Sequence, residues 1–99
     1  MNTAFDAKVL GLYRACRERG LRIGDYVLMS DVYRGMGVQN VSRLARRHCM
    51  SAPAMFGRLA RLRDLGLVEV RRGVTNRNCV FYRLTPGGVE MIHLLTQNL

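Results

Sequence analysis

The chain has 99 residues, enough for one domain and a single core but not for a core plus a separate catalytic domain. Sixteen basic residues against seven acidic ones give a net charge of +9. So basic a small domain points to a polyanionic partner, most often nucleic acid. All but one of the basic residues are arginine, whose planar fork of donors suits phosphates and base edges. The excess is also local: residues 43–83 hold ten arginines against Asp64 and Glu69, while the rest of the chain is nearly balanced. Three widely spaced cysteines, Cys16, Cys49 and Cys79, make no disulfide framework. With no leader and no long apolar run, the expected setting is the reducing cytoplasm, with no membrane association.

A first helix is predicted from near Thr3 to Gly20, with Phe5, Val9, Leu12, Tyr13 and Cys16 along one face. A second runs from about Ile23 to Arg34. It is apolar nearly all round, the pattern of a helix buried at the centre of a domain. Val38 to Val41 suggests a short strand or turn. A third helix follows over Val41 to His48, with Val41, Leu44 and Ala45 inward. After a tight turn at Cys49-Met50, Ser51 caps a fourth helix that tolerates Pro53 in its first turn and turns Met55, Leu59 and Leu62 inward. Leu65-Gly66 closes it.

The period then changes from helical to alternating. Leu67, Val68 and Val70 predict one strand and Cys79 to Leu84 another, joined by a turn-prone loop with Gly73 and two asparagines. Thr85-Pro86 opens a last helix carrying Val89, Met91, Ile92, Leu94 and Leu95. The order is α-α-(β)-α-α-β-β-α, a mainly α chain with one small hairpin. Two short helices joined by a tight turn and followed by a basic hairpin describe a winged helix-turn-helix. The expected organisation is one domain over residues 1–99: an N-terminal helix over 1–20, the helix-turn-helix over 41–66, the wing over 67–84 and a C-terminal helix over 85–97.

Three stretches within residues 21–95 resemble the MarR family of transcriptional regulators: Leu44-Ala45-Arg46-Arg47 leading to Ser51, Leu62-Arg63-Asp64-Leu65-Gly66-Leu67-Val68, and Leu84-Thr85-Pro86-Gly87-Gly88. The resemblance implies that the fourth helix is a recognition helix for the major groove and that an arginine at the wing tip, Arg77, lies near the minor groove. The family usually has Asp-Arg-Arg there, where this chain has Asn76-Arg77-Asn78. His48 stands where an apolar residue is usual. Cys49 stands where glycine is usual, at a turn position suited to positive φ. Family members are usually longer and dimerise through extended terminal helices, whereas the final helix here has little more than ten residues. The usual dimer and the small-molecule pocket beside it are therefore not carried over. A dimer would have to use the first and last helices, where Phe5, Val9, Leu12, Tyr13, Leu94 and Leu95 offer apolar surface.

Candidate contacts to duplex DNA fall on three elements. On the fourth helix, Ser51 and Ala54 lie at the start, and Arg58 and Arg61 reach toward phosphate or guanine. Its outward side is otherwise small, with Pro53, Ala54, Gly57 and Ala60, which suits thymine methyls or a docked protein. On the wing, Arg71, Arg72, Arg77, Asn76 and Asn78 are expected at the minor groove. On the third helix, Arg43, Arg46 and Arg47 are placed to meet phosphates. No metal-ligand spacing, cofactor fingerprint or catalytic constellation occurs, so neither a cofactor nor an enzyme is expected. The cysteines and histidines are expected to be buried or half-buried structural residues. The expected function is that of a sequence-selective DNA-binding regulator acting as a dimeric repressor. The alternatives are a winged helix that docks a protein partner and a binder of structured RNA.

Overall fold

The computed structural model describes residues 3–35, 40–73 and 80–99. Its elements are α1 (Thr3–Glu18), α2 (Ile23–Gly35), α3 (Val41–Arg47), α4 (Ala52–Asp64), β1 (Val68–Arg72), β2 (Val80–Leu84) and α5 (Pro86–Thr96). The strands pair antiparallel, with Val68 opposite Leu84 and Arg72 opposite Val80. This is a winged helix-turn-helix: α3 and α4 form the helix-turn-helix, and β1 and β2 form the wing.

Three of the helices end with the same device. After α1, Gly20 N–H donates to Arg17 O and Leu21 N–H to Cys16 O. After α4, Gly66 and Leu67 donate to Arg63 and Leu62. After α3, Cys49 and Met50 donate to Arg46 and Ala45. Each pair satisfies two carbonyls that the helix leaves open and requires a left-handed residue at the first position. Glycine supplies it twice, with φ +71° at Gly20 and +76° at Gly66, whereas Cys49 adopts φ +55° with a side chain attached. The starts are capped by polar side chains. Asn40 Oδ1 accepts from Arg43 N–H, Ser51 Oγ from Ala54 N–H and Thr85 Oγ1 from Gly88 N–H.

The core gathers one stripe from each helix and the inner face of the wing. Leu28, Met29 and Val32 of α2 are buried with Leu44 of α3, Met55, Leu59 and Leu62 of α4, Val68 and Tyr82 of the wing, and Ile92 and Leu95 of α5. Full burial of a side chain of this size contributes about 1.5–3 kcal/mol. The wing is fixed to the end of α4 by backbone as well as by packing. Thr85 N–H donates to Leu67 O, and Thr85 Oγ1 donates to Gly66 O. A Cβ on Gly88 would lie 2.0 Å from Leu67 O, so only glycine permits this approach. The two motifs around Leu65-Gly66-Leu67 and Thr85-Pro86-Gly87-Gly88 are thus the two sides of one contact.

Several sequence expectations need correction. Helix α2 is not buried all round: Val27 and Tyr33 are exposed, and its one fully buried charged residue is Asp25. Its apolar surplus therefore reaches the surface. On α1 the buried residues are Leu12, Ala15 and Cys16, while Val9 and Tyr13 face outward. Leu12 and Cys16 of the predicted face are buried as expected, but the buried strip continues through Ala15 rather than through Val9 and Tyr13. Within Val38 to Val41, Asn40 is an extended N-cap and Val41 the first residue of α3, so their part of the suggested strand or turn is the start of a helix rather than a strand. Val38 and Gln39 lie outside the described residues.

Candidate nucleic-acid interface

The turn between α3 and α4 is built by the Cys49 cap on one side and the Ser51 cap on the other. It places α4 with Met55, Leu59 and Leu62 against the core and Ser51, Pro53, Ala54, Phe56 and Gly57 exposed. Nothing lies within 4 Å of a Cβ built on Gly57, so this side of α4 is open. Elements α3 and β1 pack against α4, which also meets α2 through Asp25. Arg43 and Arg46 of α3, Arg71 and Arg72 of β1, and Arg63 near the end of α4 are all exposed. Ser51 and Ala54 lie on the surface at the start of α4, as the sequence placed them. Arg77, Asn76 and Asn78, the expected wing-tip residues, lie outside the described residues.

Arg58 and Arg61 do not project freely from α4. Both turn to Asp25 in the first turn of α2. Arg61 Nη2 hydrogen-bonds Asp25 Oδ2, and Arg58 Nε lies 3.8 Å from Asp25 Oδ1. Asp25 is wholly buried, and its Oδ2 also accepts from Arg22 N–H at 2.8 Å, closing the start of α2. A carboxylate there faces the positive end of the helix dipole. Its Oδ1 accepts no hydrogen bond from any described residue, so Arg58 is what neutralises that oxygen. Gly24 makes room for it: a Cβ there would lie 2.6 Å from Arg58 Nη1. Arg61 Nη1 also donates to Gly20 O. This cluster sets the roll of α4 against α2. Alongside it, Arg22, Met50, Ala54, Gly57, Arg58 and Arg61 line a shallow cleft of about 370 Å³.

A second carboxylate ties α3 to α2. Asp31 Oδ2 accepts from Arg47 Nε and His48 Nε2, both at 2.8 Å. Burial alone would push the Asp31 carboxyl up, but these two hydrogen bonds and the adjoining charges outweigh it and hold the group below the ordinary carboxylate range. Arg47, expected at a phosphate, therefore already has a partner within the chain. A hollow of about 440 Å³ opens beside this pair, lined in part by Tyr26, Val27, Arg34 and Leu99. On the wing, Glu69 receives Arg83 from directly across the hairpin and Arg71 Nη2 at 3.5 Å. The hydrogen bond from Arg83, ahead of its charge and that of Arg71, holds the Glu69 carboxyl below the usual range. Arg43 and Arg46 form no ion pair with any described carboxylate.

Cys16 is buried and burial pushes its thiol up, but Cys49 and His93 are exposed, contrary to the structural burial expected of them. His48 is half-buried on Asp31, and Cys79 lies outside the described residues. Among the described residues, no group of three or more His, Cys, Asp or Glu could hold a metal ion. No described helix is long and apolar enough to cross a membrane. On the proposed dimer face, Leu12 and Leu95 are buried in the protomer core and are not available, while Val9, Tyr13 and Leu94 are exposed. The Phe5 side chain lies outside the described set. Sequence reasoning missed Asp25, Asp31 and Glu69 as partners of the candidate arginines and Arg83 as a second arginine on Glu69, and it missed Phe56 on α4. For Asp25 and Asp31 there was a signal: each interrupts the apolar run of a helix otherwise suited to burial.

No family model matches the sequence, and no curated protein matches it either. Solved structures do match the fold. Streptococcus pneumoniae FabT in complex with DNA aligns with a TM-score of 0.71 at 17% identity, over 78% of this chain and 53% of that one. A multiple antibiotic-resistance repressor (MarR) from Listeria monocytogenes aligns at 0.81 and 17% identity, over 97% and 65%. A point mutant of S. aureus MepR bound to an oligodeoxyribonucleotide aligns at 0.88 and 10% identity, over 96% and 70%. The chain spans about half of the FabT chain's length and under two thirds of the Listeria protein's. At these identities the likeness is one of fold: the chain has a MarR-like winged helix-turn-helix.

Proposed function

We propose that this chain is a transcriptional regulator that binds duplex DNA sequence-selectively and represses as a dimer. The observation that carries the proposal is the open side of α4 together with the exposed arginines of its neighbours α3 and β1. It is the arrangement a helix needs to enter a major groove between two phosphate rows. Two of the three structures named above hold DNA. In this reading Arg43 and Arg46 meet phosphates, with Arg47 shared between phosphate and Asp31. Ser51 and Ala54 face the groove. Arg71, Arg72, Arg77, Asn76 and Asn78 carry the wing to the minor groove. Arg58 and Arg61 act mainly by holding α4 at its angle through Asp25. Two protomers pair through the exposed apolar residues of α1 and α5, matching two half-sites about one helical turn apart.

The test is fluorescence anisotropy on a random duplex pool across a salt series, with the bound fraction sequenced and Arg77→Ala run beside the wild type. The proposal expects affinity to fall with salt, a two-fold-related motif, and a weaker Arg77→Ala variant. Light scattering on and off DNA should report a dimer; a monomer in both states would remove the paired half-sites. A second reading, a docked protein partner, is favoured by the scarcity of polar side chains on the open side of α4. Absence of duplex binding at low salt would move the assignment there.

A further inference from the structure

Phe56 is the most exposed large apolar side chain among the described residues, at 55%. It stands on the open side of α4. Ala52 and Ala60 lie four residues to either side and Pro53 three before it, so they share its strip of surface, while Leu59, three after it, turns into the core along the strip's inner edge. The first polar side chain further along that strip is Arg63. The two arginines in the middle of the helix are drawn off to Asp25, and Ser51 Oγ is occupied in capping Ala54. Helix α4 therefore brings methyl, ring and methylene surface to a groove, with little to pair with base donors and acceptors. The major-groove edge offers one apolar group, the C5-methyl of thymine. The flanking elements α3 and β1 supply Arg43, Arg46 and Arg71, a positive rim that suits the phosphate rows beside such a groove. An apolar strip within a positive rim thus matches duplex DNA read at its methyl groups.

We infer that Phe56 is the specificity-determining residue of α4 and reads thymine through its C5-methyl. The inference rests on the DNA-binding reading above and names how that helix chooses its site. Replacing thymine by deoxyuridine removes this methyl and leaves every hydrogen-bonding edge in place. The best duplex selected from a random pool is made in both forms, and anisotropy is measured for the wild type and for Phe56→Ala. Wild type should bind the deoxyuridine form about fourfold more weakly for each methyl it covers. Phe56→Ala should bind the thymine form more weakly, and the ratio between the two duplexes should fall toward one. Its salt slope should not change, because no phosphate contact is lost. Because Phe56 is largely in solvent, the variant should keep the wild-type circular dichroism and melting transition. Equal wild-type affinity for the two duplexes, or a ratio that survives Phe56→Ala, would overturn the inference and leave the regulator reading standing. A wild type that binds no duplex even at 50 mM salt would overturn both and assign the strip to a protein partner.

Discussion

Replacing Cys49 by glycine should stabilise this protein, although the change removes a side chain and loosens the unfolded chain. Cys49 holds φ +55° to close the cap after α3. A residue with a Cβ loses about 1–2 kcal/mol in that region. Glycine gives back roughly 0.5–1 kcal/mol through its greater freedom when unfolded. The Cys49 side chain is exposed, so no packing is lost with it. The net gain is about 0.75 kcal/mol at the middle of these ranges and at most about 1.5 kcal/mol, and the middle value is equivalent to a melting temperature higher by roughly 3–6 °C for a domain of this size. The structure contains its own controls. Gly20 and Gly66 occupy the same position in equivalent caps, and a Cβ at either meets nothing within 4 Å. Gly20→Ala and Gly66→Ala should therefore lose about the same free energy through backbone conformation alone. Urea unfolding in reducing buffer reads all three as shifts in midpoint at constant slope. A less stable Cys49→Gly, or neutral alanine variants at Gly20 and Gly66, would refute backbone strain as the quantity that separates these caps.

Three other perturbations have definite expected outcomes. Gly88→Ala should cost about 3 kcal/mol, since its Cβ meets a backbone carbonyl already bonded to Thr85 and neither chain can yield cheaply; thermal unfolding of the variant checks this. The ion pairs of Asp31 with Arg47 and His48 lower the folded-state pKa of the carboxyl, so their contribution is complete above the unfolded value and is lost as pH falls through the folded one. The difference in urea midpoint between wild type and Asp31→Asn should accordingly close as pH drops below about 4. Asp25→Ala should lower stability by up to about 3 kcal/mol while releasing two arginines from α4. If those arginines then reach phosphates, the logarithmic salt slope of DNA binding should steepen by about 0.9 for each, and an unchanged slope would show that they do not.

The fold was legible from short-range rules. Ser51 and Thr85 were readable as caps, and Gly20 and Gly66 as stops, because a cap is decided by the residue and its neighbours within one turn. The change of period at Leu67 announced the wing for the same reason. The candidate site was less legible because its charges are settled across elements. Arg61 and Asp25 are 36 positions apart, and Arg47 and Asp31 are 16 apart. Only α4 folded onto α2 shows that two arginines placed on a reading helix face a buried carboxylate. Asp25 could have been flagged by asking what neutralises an acid inside an apolar helix, a question that helical periodicity does not pose. Phe56 was overlooked for a different reason: it stands about a quarter turn from Met55, Leu59 and Leu62, between the inward stripe and the outward side, and was counted with neither.

The basic surface is smaller than the arginine count suggests, and the difference bears on mechanism. Of the seven acids, four hold arginines on the helix-turn-helix and wing: Asp25 holds Arg58 and Arg61, Asp31 holds Arg47, Glu69 holds Arg83 with Arg71 at 3.5 Å, and Asp64 lies 3.9 Å from Arg63. Asp25, Asp31 and Glu69 each link two elements or two strands, so Arg58, Arg61, Arg47 and Arg83 spend charge on setting angles within the domain, while Arg71, longer in its pairing, keeps a share for a phosphate. The charges left toward a phosphate row are those such as Arg43 and Arg46, on a short helix whose position is itself fixed through Asp31. Electrostatics can then bring the domain to a duplex and orient it, while carrying little information about sequence. On the DNA-binding proposal, selectivity then comes from what α4 and the wing present inside the grooves. On α4 that is an apolar strip centred on Phe56, and discrimination by contact with methyl groups is graded by buried area rather than by all-or-none hydrogen bonding. A regulator built this way would tolerate single mismatches at moderate cost and gain its selectivity by engaging two half-sites together, which makes pairing of protomers a condition for specific binding.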